Sequence, residues 1–129
     1  MRRFLVFISI VMLFSACQET LEQQAERTFR AYTAKNCPQQ ISETIVLDSC
    51  RFEADTHTLH YFYHFMGVMD NDSVQEPVYM RQLLLDVLKN ETSVRIYKEN
   101  DYNFKYTYRS QKEPEKVLFE ATFTAADYR

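Results

Sequence analysis

Residues 102–109 alternate between aromatic and polar side chains without a break. Side chains two residues apart lie on the same side of an extended chain, so this alternation predicts a β-strand with one aromatic face and one polar face. The aromatic face needs cover from other parts of the chain, because its removal from water is the main driving force of folding. The segment therefore requires a sheet that is buried on one side and polar on the other.

The rest of the chain supplies four further predicted strands and two predicted helices. Alternating or continuous apolar residues predict strands at 41–53, 58–66, 93–98 and 117–125. Recurrence of apolar residues every three or four positions predicts helices at 18–36 and 75–90. The order helix, two strands, helix, three strands predicts an α+β fold, with an antiparallel sheet of about five strands and two helices on one face.

Both predicted helices begin with a capping-box pattern, formed by Thr20 with Gln23 and by Ser73 with Glu76. In its order of elements, the chain resembles the small cystatin-like and lactamase-inhibitor-like α+β modules of bacterial envelopes. Such folds host many functions, so this resemblance implies an architecture and no particular activity.

The N-terminus reads as an export signal. Arg2 and Arg3 are followed by residues 4–14, which are apolar except for Ser9, and then by small residues. A basic start, a short apolar run and small residues before a cleavage point are typical of a secretory signal. The apolar run is too short for a stable transmembrane helix, which needs about 20 residues.

The end of this signal resembles the lipobox of bacterial lipoprotein precursors. The matching residues are Phe14, Ser15, Ala16 and Cys17, with Phe14 where leucine is usual. The resemblance implies that residues 1–16 are a signal peptide cut before Cys17, and that the Cys17 thiol carries a diacylglyceryl group. Two or three acyl chains form a stable membrane anchor. Residues 17–129 would then be one α+β domain, anchored through Cys17 in the cell envelope and facing the periplasm or the cell surface.

Charge and glycine content exclude several function classes. Without Arg2 and Arg3 the chain has 13 basic and 18 acidic residues, so the net charge changes from −3 to −5. A negative chain has no electrostatic footprint for nucleic acid and little attraction to anionic lipid, so contact with the membrane is expected through the lipid. A single glycine excludes glycine-rich phosphate loops and dinucleotide fingerprints.

The cysteine count leaves two interpretations open. If Cys17 is lipidated, Cys37 and Cys50 remain, and an even number of thiols in an oxidising compartment is compatible with a disulfide. Two buried thiols are the alternative. The spacing of the two cysteines, without nearby histidines, does not fit a zinc site.

Other residues that could suggest chemistry do not form a recognised site. His60 and His64 lie on a predicted strand, where one face would separate them by about 13 Å, too far to share a metal ion, so both are expected on the solvent face or rim. Asp70 and Asp72 lack the glycine and the closing glutamate of a calcium loop. No nucleophile-elbow pattern surrounds any serine. The sequence therefore predicts neither an enzyme nor a metal or cofactor site.

Tyrosines are the strongest candidates for a ligand face. On the predicted strands they are Tyr61, Tyr63, Tyr102, Tyr106 and Tyr108. They are either core residues beneath the helices or a platform for a ligand. Because a buried tyrosine hydroxyl needs a hydrogen-bond partner, so many are easier to place along a wet groove, and we expect at least two hydroxyls to reach solvent.

These observations favour a lipid-anchored cell-envelope protein whose domain binds another macromolecule without chemistry, the partner being another envelope protein or a glycan. The alternative is a small binding module that takes a peptide, glycan or apolar ligand on its tyrosine-rich face. A flat apolar patch would favour the first interpretation, and a deep pocket lined by tyrosine and histidine would favour the second.

Overall fold

The computed structural model describes residues 18–72 and 76–129, so the lipobox residues, Cys17 among them, lie outside the described residues. The helices are α1 (Leu21–Asn36), α2 (Pro77–Asn90), α3 (Arg95–Glu99) and α4 (Ala125–Tyr128). The strands are β1 (Gln39–Gln40), β2 (Ile45–Glu53), β3 (Thr58–Phe65), β4 (Asn103–Ser110) and β5 (Val117–Phe123). The predicted α+β class is confirmed. Within the described ranges, every helix is too short or too polar to cross a membrane.

The five strands form one sheet in sequence order, β1-β2-β3-β4-β5. Three neighbouring pairs are antiparallel, but β3 and β4 are parallel, with Thr58 opposite Asn103 and Phe65 opposite Ser110. The sheet is therefore mixed and not wholly antiparallel as predicted. The connection from β3 to β4 passes through α2 and α3, as a parallel pair requires.

The predicted strand at 93–98 is wrong, because this segment contains the short helix α3. Val94 and Tyr97 are buried three residues apart, whereas Ile96 is exposed, which is helical spacing. The fifth strand is instead the two-residue β1, which pairs with Val46 and Leu47 of β2.

The start of α1 agrees with the sequence, because Thr20 and Gln23 form the predicted reciprocal capping box, with bonds of 3.0 and 3.1 Å. The second predicted box begins at Ser73, outside the described residues. Glu76, at the start of α2, makes no side-chain cap, and Pro77 occupies the first turn.

The core lies between the helices and one face of the sheet. The alternation predicted for β4 is confirmed, since Phe104, Tyr106 and Tyr108 are buried on the helix side and Lys105 is half-buried on the other side. Parallel pairing places Tyr61 opposite Tyr106, with stacked rings whose centroids are 5.2 Å apart. Stacked cross-strand aromatic pairs join β3 to β4 in the middle of the sheet.

A threonine of α1 satisfies the backbone at the edge of β2. The Thr33 hydroxyl accepts a hydrogen bond of 2.9 Å from the Cys50 N–H and donates one of 2.8 Å to the Cys50 carbonyl. Cys50 pairs with Tyr61 of β3 on one side, but on its other side no strand among the described residues lies beside it, because β1 pairs only with Val46 and Leu47. The Thr33 side chain therefore takes the place of a strand partner for the Cys50 backbone.

Candidate functional site

A cavity of about 520 Å³ opens between α1 and α2 above the sheet, and we call it the α1–α2 groove. Tyr61, Tyr63 and Tyr106 form its floor, because β3 and β4 direct these side chains towards the helices. Phe29 of α1 and Leu88 of α2 face each other across this floor. The remaining lining residues are Gln24, Thr28, Tyr32, Gln39, Ile41, Leu47, Cys50, Val87, Glu91, Ser93, Val94, Ile96 and Tyr97.

Four large apolar side chains lie at the mouth of the groove, together with the exposed polar residues Thr28, Glu91 and Ser93. The four are Tyr32, Ile41, Val87 and Ile96, which are 39–55% exposed. Contiguous exposed apolar side chains of this size are typical of a surface that binds a partner. They come from α1, from the β1–β2 turn, and from α2 and α3, so the fold assembles this rim from four places in the sequence.

The apolar surface continues from the groove along α2. Tyr79 and Leu83 precede Val87 at helical spacing, and all three are exposed. Leu84 and Leu88 pack with the core, and Leu88 is the one buried residue of α2. The helix thus presents apolar residues to solvent as well as to the sheet.

The floor hydroxyls form no hydrogen bond with another side chain or backbone group within residues 18–72 and 76–129. Of the buried side-chain polar atoms in the described residues, the Tyr102 hydroxyl alone is both unpartnered and closed to solvent. The hydroxyls of Tyr61, Tyr63 and Tyr106 are not in this class, and all three side chains line the groove. The expectation that at least two tyrosine hydroxyls reach solvent stays a prediction. Burial raises the pKa of all three, so they are neutral hydroxyls that can donate or accept a hydrogen bond.

The structure divides the five candidate tyrosines. Tyr61, Tyr63 and Tyr106 line the groove, whereas Tyr102 and Tyr108 do not. The Tyr108 ring stacks on the Tyr63 ring at 4.5 Å and is 4% exposed, and Tyr102 stacks against Phe52 and His57. Tyr102 and Tyr108 are thus core residues, whereas the ligand-face interpretation stays a prediction for Tyr61, Tyr63 and Tyr106, which line the groove. The wall formed by Val94, Ile96 and Tyr97 was not predicted, because the sequence placed a strand at 93–98.

The opposite face of the sheet carries a chain of polar contacts centred on His60. Its Nδ1 lies 3.0 Å from Glu53 Oε1, and its Nε2 lies 2.7 Å from the Thr107 hydroxyl. His60 lies on the face away from the helices, as predicted, but it stacks on Phe62 and is only 5% exposed, so the expectation that it is open to solvent is wrong. Burial lowers the pKa of His60, against the opposing effect of Glu53.

This order of carboxylate, imidazole and hydroxyl superficially matches that of a nucleophilic triad. The Thr107 hydroxyl, however, donates its proton to Glu120 at 2.7 Å, and Thr107 is 1% exposed. A nucleophile must release its proton to the neighbouring base and reach a substrate, and Thr107 meets neither condition. The contacts tie β2, β3, β4 and β5 together, and we assign them a structural role.

The other charged candidates also have structural partners. His64 pairs with Asp48 at 2.8 Å, and Asp70 accepts hydrogen bonds from Ser110 and from the Lys112 N–H. The part of the chain described here contains no group of three or more histidine, cysteine or acidic residues placed to hold a metal ion.

Cys37 and Cys50 are free thiols in this structure. Cys50 Sγ lies 3.6 Å from the Thr33 hydroxyl, and Cys37 is the C-cap residue of α1. Burial raises the pKa of both thiols. The disulfide between them stays a prediction, and if formed it would join the end of α1 to a residue that lines the groove.

Comparisons with known proteins place the chain in a family and among three solved structures. Residues 20–119 match the model of a family described as a domain of unknown function (DUF8479). No curated protein matches. A crystal structure of a candidate secreted protein (PA3611) from Pseudomonas aeruginosa is 16% identical, with a TM-score of 0.72, over 87% of this chain and 100% of that chain.

Two pilotins of type II secretion systems share the fold as well. AspS from Vibrio cholerae is 9% identical, with a TM-score of 0.61, over 83% of this chain and 91% of that chain. EpsS from Vibrio vulnificus is 14% identical, with a TM-score of 0.61, over 84% of this chain and 92% of that chain. At these identities the likeness is one of fold. The resemblance to cystatin-like and lactamase-inhibitor-like modules stays a prediction.

Proposed function

The chain belongs to the DUF8479 family, and we propose that it is a lipid-anchored protein of the bacterial cell envelope whose domain binds a segment of another envelope protein without catalysing a reaction. The observation that carries this proposal is the α1–α2 groove, with the large apolar side chains at its mouth and its floor of unpartnered tyrosine hydroxyls. The pilotin fold supports a role in envelope assembly or secretion.

The shape of the apolar surface favours an elongated partner. It extends from the groove along α2 through Val87, Leu83 and Tyr79, one helical turn at a time. A compact ligand would fill the cavity and leave this ridge in water. A peptide segment can place apolar side chains in the groove and continue along the ridge, which is the common arrangement when a peptide binds beside helices.

The anchor is the second part of the proposal. Only Gln18, Glu19 and Thr20 separate Cys17 from the first residue of α1. Three extended residues span about 10 Å, so lipid on Cys17 would hold the domain close to the membrane surface. The partner segment would then be bound at the membrane and not in the bulk of the periplasm.

Replacing Cys17 with serine tests the anchor. We expect the wild-type protein in the membrane fraction, and the Cys17→Ser protein in the soluble fraction or retained as an uncleaved precursor. A protein with several buried acyl chains attaches stably to a membrane, whereas a protein without acyl chains attaches only weakly. Cell fractionation with mass measurement of the mature chain gives the readout. Cys37→Ser is the matched control and should stay in the membrane. Membrane retention of a correctly cleaved Cys17→Ser protein would contradict the proposed anchor.

Replacing Val87 with aspartate tests the groove. A photo-crosslinking amino acid at position 96 should give a discrete adduct with a partner protein in intact cells. A carboxylate at position 87 would be desolvated by the bound segment, so we expect at least a tenfold loss of adduct. Stability should change by less than about 0.5 kcal/mol, because Val87 is exposed.

Val68→Asp serves as the matched control for this experiment, because Val68 is 78% exposed and does not line the groove. Equal adduct yields from the Val87→Asp and Val68→Asp proteins would exclude the groove as the binding site.

The tyrosine floor supports one alternative, a glycan ligand. Neutral hydroxyls beside aromatic rings suit sugar hydroxyls and ring faces, and no histidine lines the groove. A glycan would raise the midpoint of thermal unfolding and give no protein adduct from position 96, whereas a peptide partner would give the adduct.

A further inference from the structure

Glu91 is the one charged residue among the described residues that line the α1–α2 groove. We propose that the segment bound there carries a lysine or arginine that pairs with Glu91, so that the groove selects an apolar segment with a single basic side chain. This inference rests on the proposed function, because it specifies the chemistry of the partner that the groove binds.

The protein fixes the position of the Glu91 carboxylate. Glu91 follows the last residue of α2, and its Oε1 accepts a hydrogen bond of 3.1 Å from the Ser93 N–H. Bonds from Ser93 lower the pKa of Glu91, so the side chain is ionised at neutral pH. A carboxylate offers about four acceptor positions, so it retains capacity for a guanidinium or an ammonium group.

Glu91, Tyr61 and Tyr106 line the same groove. Burial first, and then neighbouring charges that include Glu91, raise the pKa of Tyr61 and Tyr106. A cation bound at Glu91 would therefore lie in a groove that also holds the hydroxyls and rings of two tyrosines. Such a set favours a cation over a neutral side chain.

No lysine or arginine of the described chain pairs with Glu91. Lys98 is the nearest cation that influences its pKa, but the Lys98 Nζ donates to the carbonyls of Leu88 at 2.7 Å and Lys89 at 3.3 Å. Lys98 thus caps the end of α2 and leaves the Glu91 carboxylate available. A fixed negative charge at the edge of an otherwise neutral, mainly apolar groove is a specificity element for a positively charged partner.

Selection from a displayed library of random linear peptides tests this inference on the full-length protein in detergent. We expect the wild-type protein to select apolar peptides in which lysine or arginine is about tenfold more frequent than in the starting library, which corresponds to about 1.4 kcal/mol. Glu91→Gln should keep the apolar preference and lose the basic one, and Glu91→Lys should replace it with an acidic preference.

The matched control is Glu115→Gln, which removes the same charge from the loop between β4 and β5, outside the groove. It should select the same basic peptides as the wild-type protein. The role of Glu91 would be overturned if the wild-type protein selected apolar peptides without basic enrichment, or if the Glu91→Gln protein selected the same basic peptides. Either result would still support the groove as a binding site. Failure to select any apolar peptide, or selection that Val87→Asp does not change, would overturn the binding function of the groove as well.

Discussion

Replacing Phe104 with alanine is expected to lower the free energy of unfolding by about 3–5 kcal/mol. Phe104 is the second residue of β4 and is 0% exposed, opposite Leu59 of β3 and Phe123 of β5, and its ring meets Tyr128 edge to face at 5.7 Å. Removal of the ring would leave a cavity that three strands and the C-terminal helix α4 all border, and a close-packed core collapses only partly into such a space.

Urea denaturation followed by circular dichroism measures this loss. Since a domain of this size is stable by about 5–15 kcal/mol, the Phe104→Ala protein should still fold but unfold at a much lower urea concentration. Phe104→Leu keeps most of the apolar volume and should lose clearly less. A loss below about 1 kcal/mol for Phe104→Ala would show that β4 does not occupy the centre of the core.

Replacing Thr33 with valine is expected to cost about 2–3 kcal/mol, although the two side chains have nearly the same shape. Valine lacks the hydroxyl that pairs both the N–H and the carbonyl of Cys50. Each backbone group left without a partner at a partly buried site costs about 1–3 kcal/mol. Because the other hydrogen bond between α1 and Cys50 among the described residues is the weak thiol contact of 3.8 Å to the Phe29 carbonyl, the helix should also loosen at the edge of the groove.

Thr33→Ser is the control, because serine keeps the hydroxyl. It should lose less than half as much stability as Thr33→Val. Hydrogen exchange at the Cys50 amide gives a local readout, and we expect faster exchange in the valine variant only. Equal exchange rates in the two variants would mean that the Thr33 hydroxyl does not close the edge of β2.

The sequence predicted those parts of the fold that depend on local pattern. The alternation around Phe104 defines β4, and the capping box at Thr20 marks the start of α1, because both depend on residues a few positions apart. The direction of the central strand pair could not be obtained in this way. That direction depends on whether the segment around Val94 and Tyr97 is a strand or a helix. A short apolar run is compatible both with the two-residue period of a strand and with the 3.6-residue period of a helix, so the sequence does not decide between them.

One misassigned element explains both errors in the predicted sheet. A strand at 93–98 would join β4 through a short turn, and the sheet would then be antiparallel. With α3 in that place, the chain makes a long crossover from β3, and parallel pairing follows.

The groove was predicted only in part for the same reason. Three of the five tyrosines could be placed on its face from strand alternation. The wall formed by Val94, Ile96 and Tyr97 depends on the helical period of α3, and the position of Glu91 depends on where α2 ends. Pattern analysis therefore indicated the floor of the site, whereas its specificity residue required the structure.

The parallel pair at the centre of the sheet also constrains the order in which the chain can fold. β2 and β3 can form a hairpin from neighbouring residues, but β3 cannot gain its second neighbour until residues as far along as Ser110 have arrived. Closing so long a loop is slow compared with local pairing. A chain released from its N-terminus would thus form the β2–β3 hairpin first and complete the sheet only after β4 had followed.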